Sequence, residues 1–374
     1  MLIRYLFIII ALCLVKTSYS QNDSDRKRIS ECGIKVGEMQ TGPYNAITDV
    51  EGVLVGHKTL IKGDSVRTGV TAILPHSKNI FQEKVPGAIV VFNGFGKLTG
   101  YTQVEELGNI ETPIILTNTL SVPTAANAVI KYSIEQPGNE DLWSVNSVVG
   151  ETNDYWLNDI RGLHVKEQDV IDAIKSASEG IVEEGCVGAG TGTIALGFKG
   201  GIGTASRVSP EINGRTYTVG VLVQSNFGRY LVLNGTKVTR DAVLPENYDG
   251  EGSCMIIVGT DAPLDSRNIK RLAKRAFIGM GRTTTYMSAG SGDYSIAFST
   301  AYTIPHKGET STNSIPDLIS NDALSILFKA VEEATQEAIY NSLFMATTMK
   351  GYRGREIVAL PVTRAIEIMK IVKK

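Results

Sequence analysis

The sequence predicts a single α/β domain in which layers of helix pack on sheet. Apolar runs of strand length recur along the chain, and several are continuous rather than alternating, which is typical of strands covered on both faces. Segments with helical spacing lie between those runs. No linker, repeat or low-complexity tract follows the polar lead at 21–27, so one domain is expected for the rest of the chain.

The predicted strands are the apolar runs themselves. The clearest is Met255-Ile256-Ile257-Val258, in which consecutive apolar side chains leave no polar face. Such a strand is expected to be covered on both of its faces. The strands are predicted at 88–92, 114–116, 216–223, 255–258 and 294–298.

Helices are predicted between and after these strands. Segment 123–135 begins at Pro123, whose fixed φ suits a first helical turn. Segment 269–280 carries apolar residues at i, i+3, i+4 and i+7, with lysine and arginine on the other face, which indicates an amphipathic helix with one solvated side. A long helix is predicted from about Asn321, and a last helix follows Pro361.

The composition limits the class of partner. A chain of 374 residues with 43% hydrophobic and 20% charged residues has ample length to bury a core. Its formal net charge is -2, and no long basic run follows the first thirty residues. Because phosphate binding needs clustered lysine and arginine, this pattern argues against a nucleic-acid partner.

The first twenty residues have the pattern of a secretory signal. Arg4 is followed by an almost wholly apolar run from Tyr5 to Val15, and Ser18 and Ser20 are the small residues that a signal peptidase reads. The alternative is an uncleaved anchor, but the run is shorter than the roughly 20 residues that span a bilayer. We therefore expect residues 1–20 to be removed and a soluble protein, free of the membrane, to be exported to the periplasm or the medium.

Cysteine and histidine give no sign of a metal site. Cys32, Cys186 and Cys254 form an odd, widely spaced set that fits neither a disulfide framework nor a zinc pattern, and Cys254 is interpreted as a small buried strand residue. The histidines are isolated from one another, with no HExxH arrangement. A histidine base for a Ser-His-Asp triad stays open, although no GxSxG elbow accompanies it. No metal or cofactor is expected.

Glycines cluster between Gly185 and Gly203. The sharper hypothesis is a nucleotide-binding loop, but the third glycine of the dinucleotide motif is missing and no GK[ST] follows. Glycine also permits tight turns and close backbone approach. The favoured interpretation is therefore tight turns and bare backbone beside a pocket.

The Gly252-Ser253 pair carries the strongest chemical signal. A flexible acidic stretch at 247–252 runs directly into a serine at the start of a core strand. Such a serine can attack the carbonyl before it, and hydrolysis of the resulting ester leaves an N-terminal serine. Its α-amine, with a pKa near 8, is suited to act as a general base at neutral pH. Hydroxyl nucleophile and base then share one residue. The alternative is an ordinary loop ending before a strand.

Other short motifs accompany this pair in a fixed order. They lie at 45–57, 67–71, 93–97, 150–159, 185–203, 223–228, 252–264 and 291–300. With them the chain resembles the self-processing β-aminopeptidases and the L-aminopeptidase/D-esterase, the DmpA/BapA type of peptidase family S58. The resemblance covers nearly the whole chain after the signal.

The resemblance implies roles for individual residues. Ser253 resembles the nucleophile released by autocleavage after Gly252, and Asn226 resembles the oxyanion donor, a task that suits an uncharged amide. Ser291 and Asp293 resemble the pair that orients the nucleophile and its amine, with Asp here where some relatives have Glu. Glu151 resembles the carboxylate that pairs with the substrate's free amino group.

Some of these assignments leave alternatives open. The family's active-site tyrosine has two candidate counterparts, Asn153 and Tyr155, and Tyr155 is taken as the catalytic candidate. Structural roles also remain for the matched residues. Asn226 has the alternative of a turn residue, Asp293 that of a loop cap, and Glu151 that of an ion pair with Arg161.

The resemblance also implies an architecture and an assembly. The family fold is an αββα sandwich of the N-terminal-nucleophile-like kind, with two mixed sheets between two helix layers. The α chain is expected at 21–252 and the β chain at 253–374, both within one catalytic domain. The assembly is expected to be a homo-oligomer, a tetramer of αβ heterodimers.

The implied reaction is removal of the N-terminal residue from small peptides, amides or esters, with β-amino acid substrates included, and without a cofactor. Two alternatives come from other classes. One is an acyltransferase of the autocleaving ornithine acetyltransferase type, although that type uses threonine and works inside the cell. The other is a non-catalytic periplasmic binding protein on the same fold.

Overall fold

A computed structural model describes residues 26–238, 252–284, 287–306 and 315–372. The predicted signal at 1–20 and the acidic stretch at 247–251 lie outside these ranges. None of the helices in the described ranges is both long and apolar enough to cross a bilayer.

The helices and strands follow one another in mixed order along the chain. The helices are α1 (Tyr101–Leu107), α2 (Val122–Ile134), α3 (Glu167–Lys175), α4 (Ser266–Gly281), α5 (Leu324–Phe344) and α6 (Val362–Val372). The strands are β1 (Leu54–Lys62), β2 (Val66–Leu74), β3 (Glu83–Gly94), β4 (Asn109–Ile110), β5 (Ile114–Asn118), β6 (Val148–Thr152), β7 (Ile194–Ala195), β8 (Phe198–Lys199), β9 (Gly201–Val208), β10 (Thr218–Asn226), β11 (Leu231–Leu233), β12 (Thr236–Val238), β13 (Ser253–Thr260), β14 (Gly292–Ser299), β15 (Ile304–Pro305), β16 (Met349–Lys350) and β17 (Glu356–Ile357).

The longer strands form two sheets in the described part of the chain. The smaller has the order β1-β2-β5-β6, and the larger has the order β15-β3-β14-β13-β10-β9, with β4 beside β3. Neighbouring strands are antiparallel except for β5 with β6 and β13 with β14, which are parallel. Both sheets are therefore mixed.

The two sheets pack face to face between two layers of helix. The apolar layer between them contains residues of both sheets, among them Ile73, Leu116, Leu222, Met255 and Ile257. Helices α2 and α3 cover the outer face of the smaller sheet, and α4 and α5 cover the outer face of the larger one. This is the αββα sandwich, and the predicted fold class is confirmed.

Most predicted elements appear where the sequence puts them. Every residue of β13 is buried, with Met255 facing the smaller sheet and Ile256 facing the helices, so this strand is covered on both sides as expected. The apolar stripe of α4 is buried along its length. The long helix α5 begins at Leu324 rather than near Asn321.

The glycine cluster allows main chains to approach one another closely. A Cβ atom on Gly203 would lie 2.0 Å from the carbonyl oxygen of Ala338, and one on Gly190 would lie 2.4 Å from the amide nitrogen of Ile202. No larger residue fits at either position without movement of the backbone. The interpretation as close backbone approach is supported, and it is what lets α5 lie directly on β9.

Candidate active site

Ser253 is the first residue of β13 and lies opposite Asn226, the last residue of β10. Because side chains alternate along a strand, Ser253 shares the face of Met255, towards the smaller sheet. Its hydroxyl oxygen accepts a hydrogen bond from the backbone N–H of Gly292 at 3.1 Å. The serine is buried, at 5% exposure, so its hydroxyl is held in one place at the end of a core strand.

Gly252 precedes this serine in a space that admits no side chain. A Cβ atom there would lie 1.8 Å from the carbonyl oxygen of Asn226. The close approach brings the Gly252–Ser253 bond beside the last residue of β10. Glycine is thus required by packing at the position where the sequence predicts cleavage.

The side-chain amide of Asn226 is oriented by two hydrogen bonds. Its Oδ1 accepts from the backbone N–H of Ile194 at 2.9 Å, and its Nδ2 donates to the carbonyl oxygen of Asn153 at 3.1 Å. The first bond fixes which end of the amide is oxygen. Since Nδ2 carries two hydrogens, one remains for a further acceptor. The alternative of Asn226 as a simple turn residue does not fit its place within β10.

Asp293 is a buried carboxyl on the strand beside Ser253. It lies opposite Cys254 in the parallel pair β13–β14 and accepts from the hydroxyl of Ser291 at 3.0 Å and from the backbone N–H of Cys254. Its Oδ2 has no hydrogen-bond partner among the described residues. Burial raises the pKa of Asp293 to about 7, against the opposing effect of these hydrogen bonds. The site therefore holds a carboxyl oxygen ready to accept a donor or a cation.

Glu151 lies near the end of β6 and is buried, with 2% exposure. One carboxylate oxygen accepts from the hydroxyl of Thr119 and the other from the backbone N–H of Lys97 at 3.0 Å. Burial raises the pKa of Glu151, while these two hydrogen bonds lower it. These bonds, rather than a pair with Arg161, hold the carboxylate in place.

Tyr155 is connected to this group through Asn153. Its backbone N–H donates to the side-chain oxygen of Asn153 at 3.0 Å, and Asn153 in turn accepts from Asn226. The ring of Tyr155 packs edge to face on Trp156, with centroids 6.0 Å apart, beside a small apolar cluster. The structure thus pairs Ser253 with Asn226 and connects Ser253 to Ser291 and Asp293 through Gly292, the residue between them. Tyr155 is connected to Asn226 through Asn153.

Several contributors to the site escape prediction from the sequence. Gly292 donates to Ser253, Thr119 donates to Glu151, and Tyr294 lies close enough to both Glu151 and Asp293 for their charges to affect its pKa. Gly292 and Tyr294 lie within the 291–300 motif, beside Ser291 and Asp293, and that position is a usable signal. Thr119 reaches Glu151 only through the fold.

The arrangement is suited to acyl transfer through a serine. It combines a fixed hydroxyl, an oriented amide donor and a buried carboxyl at the ends of three neighbouring strands, β13, β10 and β14. Cys254, as predicted, is a fully buried strand residue on the opposite face. Across the ranges that the structure describes, no group of three or more His, Cys, Asp or Glu side chains is arranged to hold a metal ion.

Comparison with known protein families and with individual proteins finds peptidases in both cases. The model of peptidase family S58 matches residues 45–357. The chain is 41% identical to the beta-peptidyl aminopeptidase BapA of Sphingosinicella microcystinivorans, and the match covers 88% of each protein.

Solved structures with the same fold cover nearly the entire chain. The PH0078 protein of Pyrococcus horikoshii OT3 superposes with a TM-score of 0.87 at 49% identity, covering 93% of this chain and 100% of that one. The L-aminopeptidase D-Ala-esterase/amidase of Ochrobactrum anthropi, a prototype serine aminopeptidase with a variant of the Ntn hydrolase fold, also superposes with a TM-score of 0.87. Its sequence is 36% identical, and the match covers 92% of this chain and 99% of that one.

Proposed function

The chain belongs to peptidase family S58 and is an aminopeptidase, and we propose that Ser253 is its nucleophile. We further propose that the chain frees this serine by cutting its own Gly252–Ser253 bond. The observation that carries the proposal is the position of Ser253. Ser253 begins a core strand opposite the oriented amide of Asn226. It directly follows Gly252, where the carbonyl group of Asn226 leaves no room for a side chain.

Maturation is proposed as an N-to-O acyl shift followed by hydrolysis. Ser253 Oγ attacks the carbonyl carbon of Gly252, the C–N bond breaks, and the departing nitrogen takes up the proton of the hydroxyl. Water then cleaves the ester, which leaves a carboxylate on Gly252 and a free α-amine on Ser253. The products are an α chain at 21–252 and a β chain at 253–374 that remain one catalytic domain.

Catalysis by the cut protein uses the same atoms. The new α-amine accepts the proton of Ser253 Oγ as the oxygen attacks the substrate carbonyl. The free N–H of Asn226 stabilises the negative charge that develops on the substrate oxygen. Asp293, held by Ser291, accepts a hydrogen bond from the amine and keeps it aligned. The scissile bond then breaks, and the departing amine or alcohol takes up the proton held by the α-amine. Water attacks the acyl-enzyme ester, which releases the acyl group as a carboxylic acid and restores the hydroxyl of Ser253.

Glu151 is proposed to recognise the free amino group of the substrate. A buried carboxylate with two fixed donors offers a defined acceptor for an ammonium, and that pairing sets the register of the scissile bond. Small peptides, amides and esters with a free N-terminus are the substrates, and β-aminoacyl compounds are included because of the named relatives. Tyr155 is proposed to line the substrate's path.

Export and assembly complete the proposal. Residues 1–20 act as a cleaved signal that leads the protein to the periplasm or the medium. The αβ units assemble as a tetramer of heterodimers. The acyltransferase and the non-catalytic binding protein have no support, since the family and the named relatives are peptidases.

The function is tested with aminoacyl-p-nitroanilides of the α and β series and with their N-acetylated counterparts. We expect the protein to release p-nitroaniline from the free-amine compounds only, and the Ser253→Ala variant to release none. Ser295→Ala is the matched control, because Ser295 is buried on the adjacent strand and its hydroxyl lacks a hydrogen-bond partner in the described residues. Activity in Ser253→Ala, or equal hydrolysis of acetylated substrates, would overturn the proposal.

A further inference from the structure

The backbone after β3 joins the two halves of the site. The 94–98 segment, Gly94 to Leu98, donates the N–H of Phe95 to the carbonyl oxygen of Ser291 at 3.2 Å. Two residues later the N–H of Lys97 donates to Glu151 at 3.0 Å. Successive Cα atoms are about 3.8 Å apart, so the spacing between the serine side and Glu151 depends on how this short segment is held.

The side chain that supports this segment is Tyr294. A Cβ atom on Gly96 would lie 2.7 Å from the hydroxyl oxygen of Tyr294 and 2.8 Å from its Cε2, so the phenol packs directly on the bare backbone. The N–H of Gly96 itself donates to the carbonyl oxygen of Gly94 at 2.9 Å, so the phenol packs on a tight turn of the backbone. The ring itself is anchored, since Tyr294 is 3% exposed and belongs to the apolar layer between the sheets.

The phenol also lies in the field of two carboxyl groups. Burial, with the charges of Glu151 and Asp293, raises the pKa of Tyr294 to about 12, so the hydroxyl keeps its proton at any pH at which the protein works. Phenylalanine would fill the same apolar layer. The hydroxyl is therefore explained by its contact with Gly96 rather than by packing within the apolar layer.

We propose that Tyr294 is a positioning residue, which holds the 94–98 segment so that Lys97 fixes the amine-binding carboxylate of Glu151 at a set distance from Ser253. The inference rests on the proposed role of Glu151 and adds to it the residue that determines its place. Loss of the hydroxyl weakens recognition of the substrate's amino group and leaves the nucleophile and the oxyanion donor unchanged.

The test is Tyr294→Phe, assayed on an aminoacyl-p-nitroanilide and on p-nitrophenyl acetate, which has no amine. We expect KM for the aminoacyl compound to rise about 3- to 10-fold, because the segment loses the atom on which Gly96 packs, with kcat within about twofold. Hydrolysis of the acetate ester should not change. Tyr302→Phe is the matched control, because its hydroxyl donates to the carbonyl oxygen of Leu264 beyond the other end of β14.

Gly96→Ala is a second variant, which disturbs the same contact by adding a Cβ atom 2.7 Å from the hydroxyl oxygen of Tyr294. It keeps the test available if Tyr294→Phe folds poorly. It should raise KM for the aminoacyl compound in the same selective way. An unchanged KM in a folded variant, an equal loss on both substrates, or the same effect from Tyr302→Phe overturns the inference. If Ser253→Ala is inactive while Tyr294→Phe behaves as the parent, only this inference fails.

Discussion

At the scale of single residues, the site depends on polar groups whose orientation is imposed by the backbone. Asn226 shows this most clearly, because the N–H of Ile194 fixes its amide oxygen and so turns its N–H groups towards the serine end of β13. Serine hydrolases gain much of their rate from a donor that is in place before charge develops on the substrate. The short strand β7, which carries Ile194, is therefore part of the proposed catalytic geometry.

Asn226→Ala should lower kcat about 100- to 1000-fold, as expected for the loss of one oxyanion donor, with a smaller effect on KM. Steady-state kinetics on an aminoacyl-p-nitroanilide, scaled to the amount of cut protein, measures it. Asn79→Ala serves as control because its amide bonds to Pro137 and Asn139, in another part of the fold. An unaltered kcat would remove Asn226 from the mechanism.

A second residue, Asp154, makes stability depend on pH. It accepts from Asn158 at 2.9 Å and from Thr68, its Oδ2 is unpartnered among the described residues, and burial raises its pKa from 3.8 to about 7. A raised pKa means that the folded chain binds the proton more tightly than the unfolded chain. The stabilising contribution is thus complete below pH 3.8 and is lost as the pH rises through about 7.

In the uncut Ser253→Ala background, the free energy of unfolding should fall between pH 6 and pH 8. Asp154 should account for about 1.4 kcal/mol of that fall, because its pKa of about 7 lies midway between these two pH values and it is the proton of one carboxyl that is lost. Adding Asp154→Asn should reduce the fall by that amount. Urea unfolding at both pH values gives the comparison, and identical pH dependence in the two variants would show that Asp154 does not titrate there.

At the scale of elements, the pairing of β10 with β13 creates the reactive junction. The two strands are antiparallel and end together at Asn226 and Ser253, and the chain enters β13 through Gly252. A residue with a side chain at that entry would collide with the carbonyl group of Asn226. The pairing of Ser253 with Asn226 therefore requires glycine at position 252, beside the residue that we propose as the oxyanion donor.

Gly252→Ala should slow processing at least tenfold, because its Cβ would lie 1.8 Å from Asn226 and must push the strand ends apart. The rate is followed as the appearance of two bands after synthesis of the chain. Gly281→Ala provides the control, since a Cβ there meets nothing within 4 Å. Processing of Gly252→Ala at the parental rate would contradict this view of the junction.

Helices and strands could be predicted from the sequence where the spacing of apolar residues is a local pattern. Contacts between distant segments could not. The stripe of α4 and the apolar run of β13 follow from periodicity alone. The order of strands in the sheets does not, because pairing joins segments far apart in the sequence. The same holds in the site: Ser253 stood out beside Gly252, whereas the bond from Thr119 to Glu151 exists only after β5 and β6 have paired.

At the scale of the whole molecule, the two proposed chains share one core. β9 and β10 precede the junction, β13 and β14 follow it, and all four lie in the larger sheet. Arg207 on β9 is 1% exposed and forms ion pairs across this division with Glu333 and Glu337 on α5, at 3.2 and 2.6 Å. The cut protein is therefore expected to stay associated without a covalent link.

Arg207→Met should lower the free energy of unfolding by about 3–5 kcal/mol, because it leaves the buried carboxylate of Glu337 without its cation and leaves Glu333 only the more distant Lys329, at 3.8 Å. Urea unfolding of the purified protein, with size-exclusion chromatography of the fragments, measures the loss. Arg364→Met is the control, since Arg364 pairs with Glu367 on the exposed face of α6 and such pairs contribute at most about 1 kcal/mol. Equal stabilities would mean that the buried ion pairs do not hold the fragments together.

We propose that this aminopeptidase makes its own nucleophile, and mass spectrometry of the purified protein can reveal the cut bond. We expect two fragments for the parent chain, the smaller one beginning at Ser253, and a single intact chain for Ser253→Ala. Cleavage of Ser253→Ala at the same bond would contradict it, because another protease would then be making the cut.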